Sequence, residues 1–126
     1  MSTPPPVMRR LREIAHVKQT QGALRRRWWT CEHMDLYVWL DDKARVASFE
    51  LCYDKPFDEH SLRWDAEFGC RHARIDAGET TAFDHQTPIA VPDGHYRLED
   101  IALRFESAGA DVEPRVYRTV LSVLTA

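Results

Sequence analysis

Cysteine, histidine and carboxylate groups are the side chains in this sequence with the most obvious capacity for chemistry, and few of them fall at useful spacings. Six histidines (16, 33, 60, 72, 85 and 95) accompany three cysteines, Cys31, Cys52 and Cys70. Cys70-x-His72 sets two reactive groups on one face of a strand, because side chains alternate with period two. Cys52 on a neighbouring strand would complete a thiol–imidazole pair with His72, the arrangement that activates a nucleophile. A zinc site needs three or four converging ligands, and neither HExxH nor paired CxxC occurs. GxSxG, the phosphate loop and GxGxxG are also missing. Asp84-His85 are sequence neighbours, which rarely reach catalytic geometry. An enzyme reading is therefore a small hydrolase-like or metal-dependent activity on Cys52, Cys70 and His72. It ranks second, because a cysteine inside a strand usually serves as a small hydrophobe. No metal or cofactor is expected.

A second candidate is Arg25-Arg-Arg-Trp-Trp29. Basic and aromatic groups together suit stacking on nucleic acid. The charge balance argues against it. Residues 1–30 hold seven Lys/Arg and one acid, residues 31–126 ten and nineteen, and the net charge is −3. The pI of about 6.0 is low for a nucleic-acid domain. The arginines are expected to pair with acids such as Asp35, Asp41 or Asp42. Trp28 and Trp29 should point to opposite faces of an entering strand.

The elements that would position these groups follow from periodicity. Residues 1–5 read as a disordered proline-rich leader and 6–126 as a single α+β domain. Val7, Leu11, Ile14 and Val17 form a helical stripe, which predicts a basic amphipathic N-terminal helix. Period-two segments follow at 35–41, 45–54, 60–65 and 70–76, with 26–30 as a fifth and 87–91 as a short edge strand. Short connections make consecutive strands antiparallel neighbours. Helical period returns at Leu98, Ile101, Ala102 and Phe105, stopping at Gly109. A last helix is capped by Asp111, with Glu113 and Pro114 in its first turn. The expected fold is an antiparallel four- to five-stranded meander with one N-terminal and two C-terminal helices packed on it. No apolar run is long enough for a membrane helix. The start lacks signal-peptide regions, and three cysteines make no disulfide framework, so a cytoplasmic protein is expected.

The stretches "RRWWTCEHMDLYVWLDDKARVASFELCYDKPFDEHSLRW", "HARIDAGE" and "TPIAVPDG" resemble a family of small uncharacterised bacterial proteins. In these a tryptophan-rich strand leads into an F-x-L-C-Y-D-K strand. The resemblance covers about residues 25–95 and implies a bacterial cytoplasmic protein; it brings no activity, cofactor or catalytic residue with it.

Alternation divides the side chains between two faces. Leu36, Val38, Leu40, Ala47, Phe49, Leu51, Tyr53, Leu62, Trp64, Ala73 and Ile75 form an apolar set for the helices to cover. Tyr37, Trp39, Ser48, Glu50, Cys52, Ser61, Arg63, Cys70, His72 and Arg74 fall on the other face. One alternative for that face is cross-strand ion pairing of Glu50 with Arg63 or Arg74 under a covering segment. The functional alternative is a ligand surface of Tyr37, Trp39, Glu50, Arg63, His72 and Arg74, with guanidiniums holding an anion. The function read from the sequence is a non-enzymatic binding or interaction module. A small anionic ligand and a homodimer are its candidate partners; membrane and nucleic acid are not.

Overall fold

A computed structural model describes residues 9–19, 22, 24–55, 59–74, 87–88 and 97–126, leaving out the side chains of 74, 87 and 88. The expectations for residues 1–5, Val7, Ile75, residues 89–91, His85, His95 and the turn at Pro92 lie outside these residues.

Among the described residues seven strands precede two helices: β1 (Arg12–Glu13), β2 (Arg25–Thr30), β3 (Asp35–Leu40), β4 (Val46–Tyr53), β5 (His60–Asp65), β6 (Gly69–Arg74), β7 (Thr87–Pro88), α1 (Leu98–Ala108) and α2 (Pro114–Leu124). Each strand pairs antiparallel with the next, so the sheet order is the chain order. The α+β meander with two C-terminal helices is as expected, but the sheet is larger than the four or five strands predicted. Among the described residues no helix is long and apolar enough to cross a membrane.

The N-terminal helix does not form in the described part of its range. Arg12 and Glu13 instead pair with Thr30 and Trp29. The helical stripe was one residue wide per turn, a weak driving force for an isolated helix. The edge of β2 offers backbone partners in its place: Ile14 N–H donates to the Trp28 carbonyl at 2.9 Å. Leu11, fully buried, anchors the segment, and its N–H donates to the carbonyl of Ala108 at 2.8 Å. Glu13 meets Arg27 through two bonds of 2.6 and 2.7 Å.

The turns set the register. Asp41 Oδ1 accepts from the N–H groups of Lys43 and Arg45, both at 2.9 Å, closing the β3–β4 hairpin. A bulge follows, so Leu40 pairs with Val46 while Trp39 pairs with Ser48, and Ala47 is the extra residue. Between β5 and β6, Asp65 Oδ1 accepts from Glu67 N–H at 2.7 Å, and Gly69 takes φ +81°. That is a three-residue loop with glycine in the left-handed region.

The core lies between one sheet face and the helices. Leu36, Val38, Phe49, Leu51 and Leu62 pack with Ile101, Phe105, Val116, Val120 and Leu124, none more than 1% exposed. Each such side chain contributes about 2–3 kcal/mol on burial, so this face fixes the register of β3–β5. Glu113, rather than Asp111, caps α2. Its carboxylate accepts from Arg115 and Val116 N–H at 3.1 Å each, ahead of Pro114 at the first helical position.

Candidate functional site

The sheet face turned away from α1 and α2 is built from alternate residues of neighbouring strands. Trp28 stands opposite Tyr37, Tyr37 opposite Glu50, and Glu50 opposite Arg63. Arg26 stands opposite Trp39, and Trp39 opposite Ser48. Directly paired residues share a face about 5 Å apart, so these side chains meet. Trp28 and Tyr37 stack at 5.6 Å between centroids with 11° between planes, and Tyr37 and Trp39 lie 6.5 Å apart. The Arg26 guanidinium sits 5.6 Å over the Tyr37 ring, and that of Arg63 5.3 Å over Trp39. All three aromatics are half-buried, whereas Trp29, on the other face, is 1% exposed. The two tryptophans thus separate as expected.

Four of the six predicted site residues, Tyr37, Trp39, Glu50 and Arg63, share this face. The other two do not. Leu62 pairs with His72 and His60 with Arg74, so His72 and the ladder position of Arg74 belong to the helix side of the sheet. Cys70, opposite Trp64, goes with them. The period read from the sequence is one residue out of step in β6. Its residues Gly-Cys-Arg-His-Ala-Arg contain no apolar set to fix a face, and the three-residue loop after Asp65 decides the parity instead. The residues that join the mixed face are Arg71, opposite Arg63, and Ala73, opposite Ser61. Arg26, Trp28 and Arg71 were absent from the predicted site. Continuing the alternation of Trp28 back to Arg26, and counting Asp65-x-x-x-Gly69 as a hairpin loop, finds them.

The Cys52–His72 pair is not formed, because the two lie on opposite faces. The Cys52 thiol donates to Glu50 Oε1 at 3.7 Å, and burial, reinforced by the charge of Glu50, pushes its ionisation well above the ordinary thiol range. A thiol held neutral is a poor nucleophile. His72 Nε2 is 2.6 Å from the Tyr53 hydroxyl, in a stack with His60 at 5.2 Å between ring centroids. Cys70, half-buried, packs against the core, and burial raises its thiol as well. Among the described residues no group of three His, Cys, Asp or Glu side chains converges as a metal site.

The acids on the mixed face are largely committed. Asp35, expected to serve the Arg25–Arg27 run, accepts instead from Trp28 Nε1 at 3.1 Å, Thr30 Oγ1 at 2.5 Å and Lys55 Nζ at 2.5 Å. Asp41 binds Arg45. Glu50 is 5% exposed, and its Oε2 has no hydrogen-bond partner. Burial raises its carboxyl above the usual range, against the pull of the Ser61 hydroxyl and the Arg63 charge. Burial, with the charges of Asp35 and other neighbours, pushes the Tyr37 phenol up to about 12. Among the described residues Arg26 Nε is likewise buried without a partner. Natural proteins leave few such groups unpaired. No family model, curated protein or solved structure matches the chain.

Proposed function

We propose that the protein is a binding module whose recognition surface is the mixed sheet face, and that the ligand is a small anion carrying a planar or apolar portion. The observation that carries this reading is the cross-strand pairing of Arg63 with Arg71. Two guanidiniums side by side on one face can hold one anion through charge-assisted bonds from both. Trp39, already under the Arg63 guanidinium, offers its ring to the rest of the ligand. The anion-holding guanidiniums read from the sequence, Arg63 and Arg74, become Arg63 and Arg71.

A thermal-shift panel of aryl phosphates, aryl carboxylates and their neutral analogues tests this on the wild type and on Arg71→Ala. Selective stabilisation of the wild type by anions, lost in Arg71→Ala, is the expected result. Removing Arg71 alone should change stability by no more than about 1 kcal/mol, the scale of surface charge pairs. If no anion stabilises the wild type over its neutral analogue, the ligand reading of this face fails.

A further inference from the structure

On the helix side of the sheet a groove of about 470 Å³ runs between the β2–β3 connection, the end of β4 and α1. Sites for small molecules span roughly 300–1,000 Å³. The floor is apolar: Met34, Tyr53 and Ala108 line it and are themselves buried. Leu103, on α1, forms one wall and is 64% exposed. A large aliphatic side chain beside an apolar floor is contact area left unused by the fold.

The rim has the opposite character. Arg9 and Arg104 line the groove, and Asp54 is the one acid among the described residues that do so. Asp54 is matched by Arg104 at 3.5 Å, and the Arg104 guanidinium lies 5.4 Å over the Tyr53 ring. These two contacts hold Arg104 at the mouth. Arg9 is exposed, and the Leu11 backbone bond to Ala108 ties its segment to the end of α1. The rim therefore keeps an excess of positive charge around an apolar trough.

We infer that this groove binds a small amphipathic anion, its apolar body along Leu103, Met34 and Ala108 and its carboxylate or phosphate head at Arg9 and Arg104. An amine of the same length meets two guanidiniums against the one carboxylate of Asp54, and gains less than the anion. An alcohol gains the apolar contact but no charge-assisted bond, which is the stronger kind. This site is separate from the mixed face and uses none of its residues.

Calorimetric titration of the whole chain with octanoate, octanol and octylamine tests the inference. Octanoate binds saturably, and octanol and octylamine each at least about tenfold more weakly. Leu103→Glu, a change at an exposed helix position, abolishes octanoate binding while the far-ultraviolet dichroism stays that of the wild type. Arg9→Ala weakens octanoate about tenfold, the scale of one charge-assisted contact. The same titrations on Arg71→Ala remove any octanoate taken up by the mixed face, so that binding dependent on Leu103 and Arg9 is read alone. The inference is overturned if octanoate fails to bind, if it binds Leu103→Glu as well as the wild type, or if octanol equals it. It is overturned equally if Leu103→Glu converts a dimer to a monomer in sedimentation, since the occupant is then a second copy.

Discussion

Glu50 is the charged residue of the mixed face whose burial is least compensated. It stands in the middle of a sheet, 5% exposed, with one carboxylate oxygen unpaired. Burial raises its folded-state ionisation above the ordinary glutamate value. A raised carboxyl favours the protonated form in the folded protein, so the stability tied to that proton is present at acid pH. It is lost as pH rises through the folded value. Glu50→Gln should therefore be at least as stable as the wild type at neutral pH, and its relative advantage should vanish below pH 4.5, the ordinary value. Urea denaturation at the two pH values checks this; a neutral-pH loss as large as the acid one contradicts it. Tyr37 gives a second, alkaline window. Its phenol moves from 10.0 in the free side chain to about 12 in the fold. Above 10 the unfolded chain loses this proton first, so stability falls between the two values, and Tyr37→Phe removes that contribution. Glu50 was legible in the sequence as a carboxylate among aromatics. Its unpaired oxygen was not, because that depends on which neighbours reach it.

Elements were read well where packing dictates them. Leu36, Val38, Phe49, Leu51 and Leu62 alternate so regularly that a slip of one residue would expose all of them. Phe49, fully buried and stacked on Trp64 at 5.6 Å, is the sharpest test: Phe49→Ala should cost about 3–5 kcal/mol in chemical denaturation. A change near zero would mean the core face is wrongly assigned. The Glu113 cap of α2 is worth less, and Glu113→Ala should cost about 1 kcal/mol. Two elements misread from the sequence show the limits of pattern. The stripe of Leu11 and Ile14 has helical spacing, but the open edge of β2 needed backbone partners. The β6 residues carry no apolar rhythm, so their faces follow from loop length alone. Edge pairing and loop parity are both properties of two segments at once, which a single segment's periodicity does not contain.

At the scale of the whole molecule, the sheet separates a core shared with two helices from a face of stacked aromatics and opposed arginines. The excess of acid in the body should keep nucleic acid off that face. Binding to single- or double-stranded DNA should be no tighter than about micromolar at physiological salt, and gel-shift titrations check this. Tight binding that weakens steeply with added salt would give the arginines and tryptophans a nucleic-acid role instead. The most direct test of the recognition surface is a ¹H–¹⁵N titration, following the tryptophan indole signals while the most stabilising aryl anion is added. The predicted result is a saturable shift of the Trp39 indole, with Trp29 in the core unmoved and the Trp39 response lost in Arg71→Ala. An unmoved Trp39 indole at saturating anion, or an equal response in Arg71→Ala, would contradict the assignment of this face.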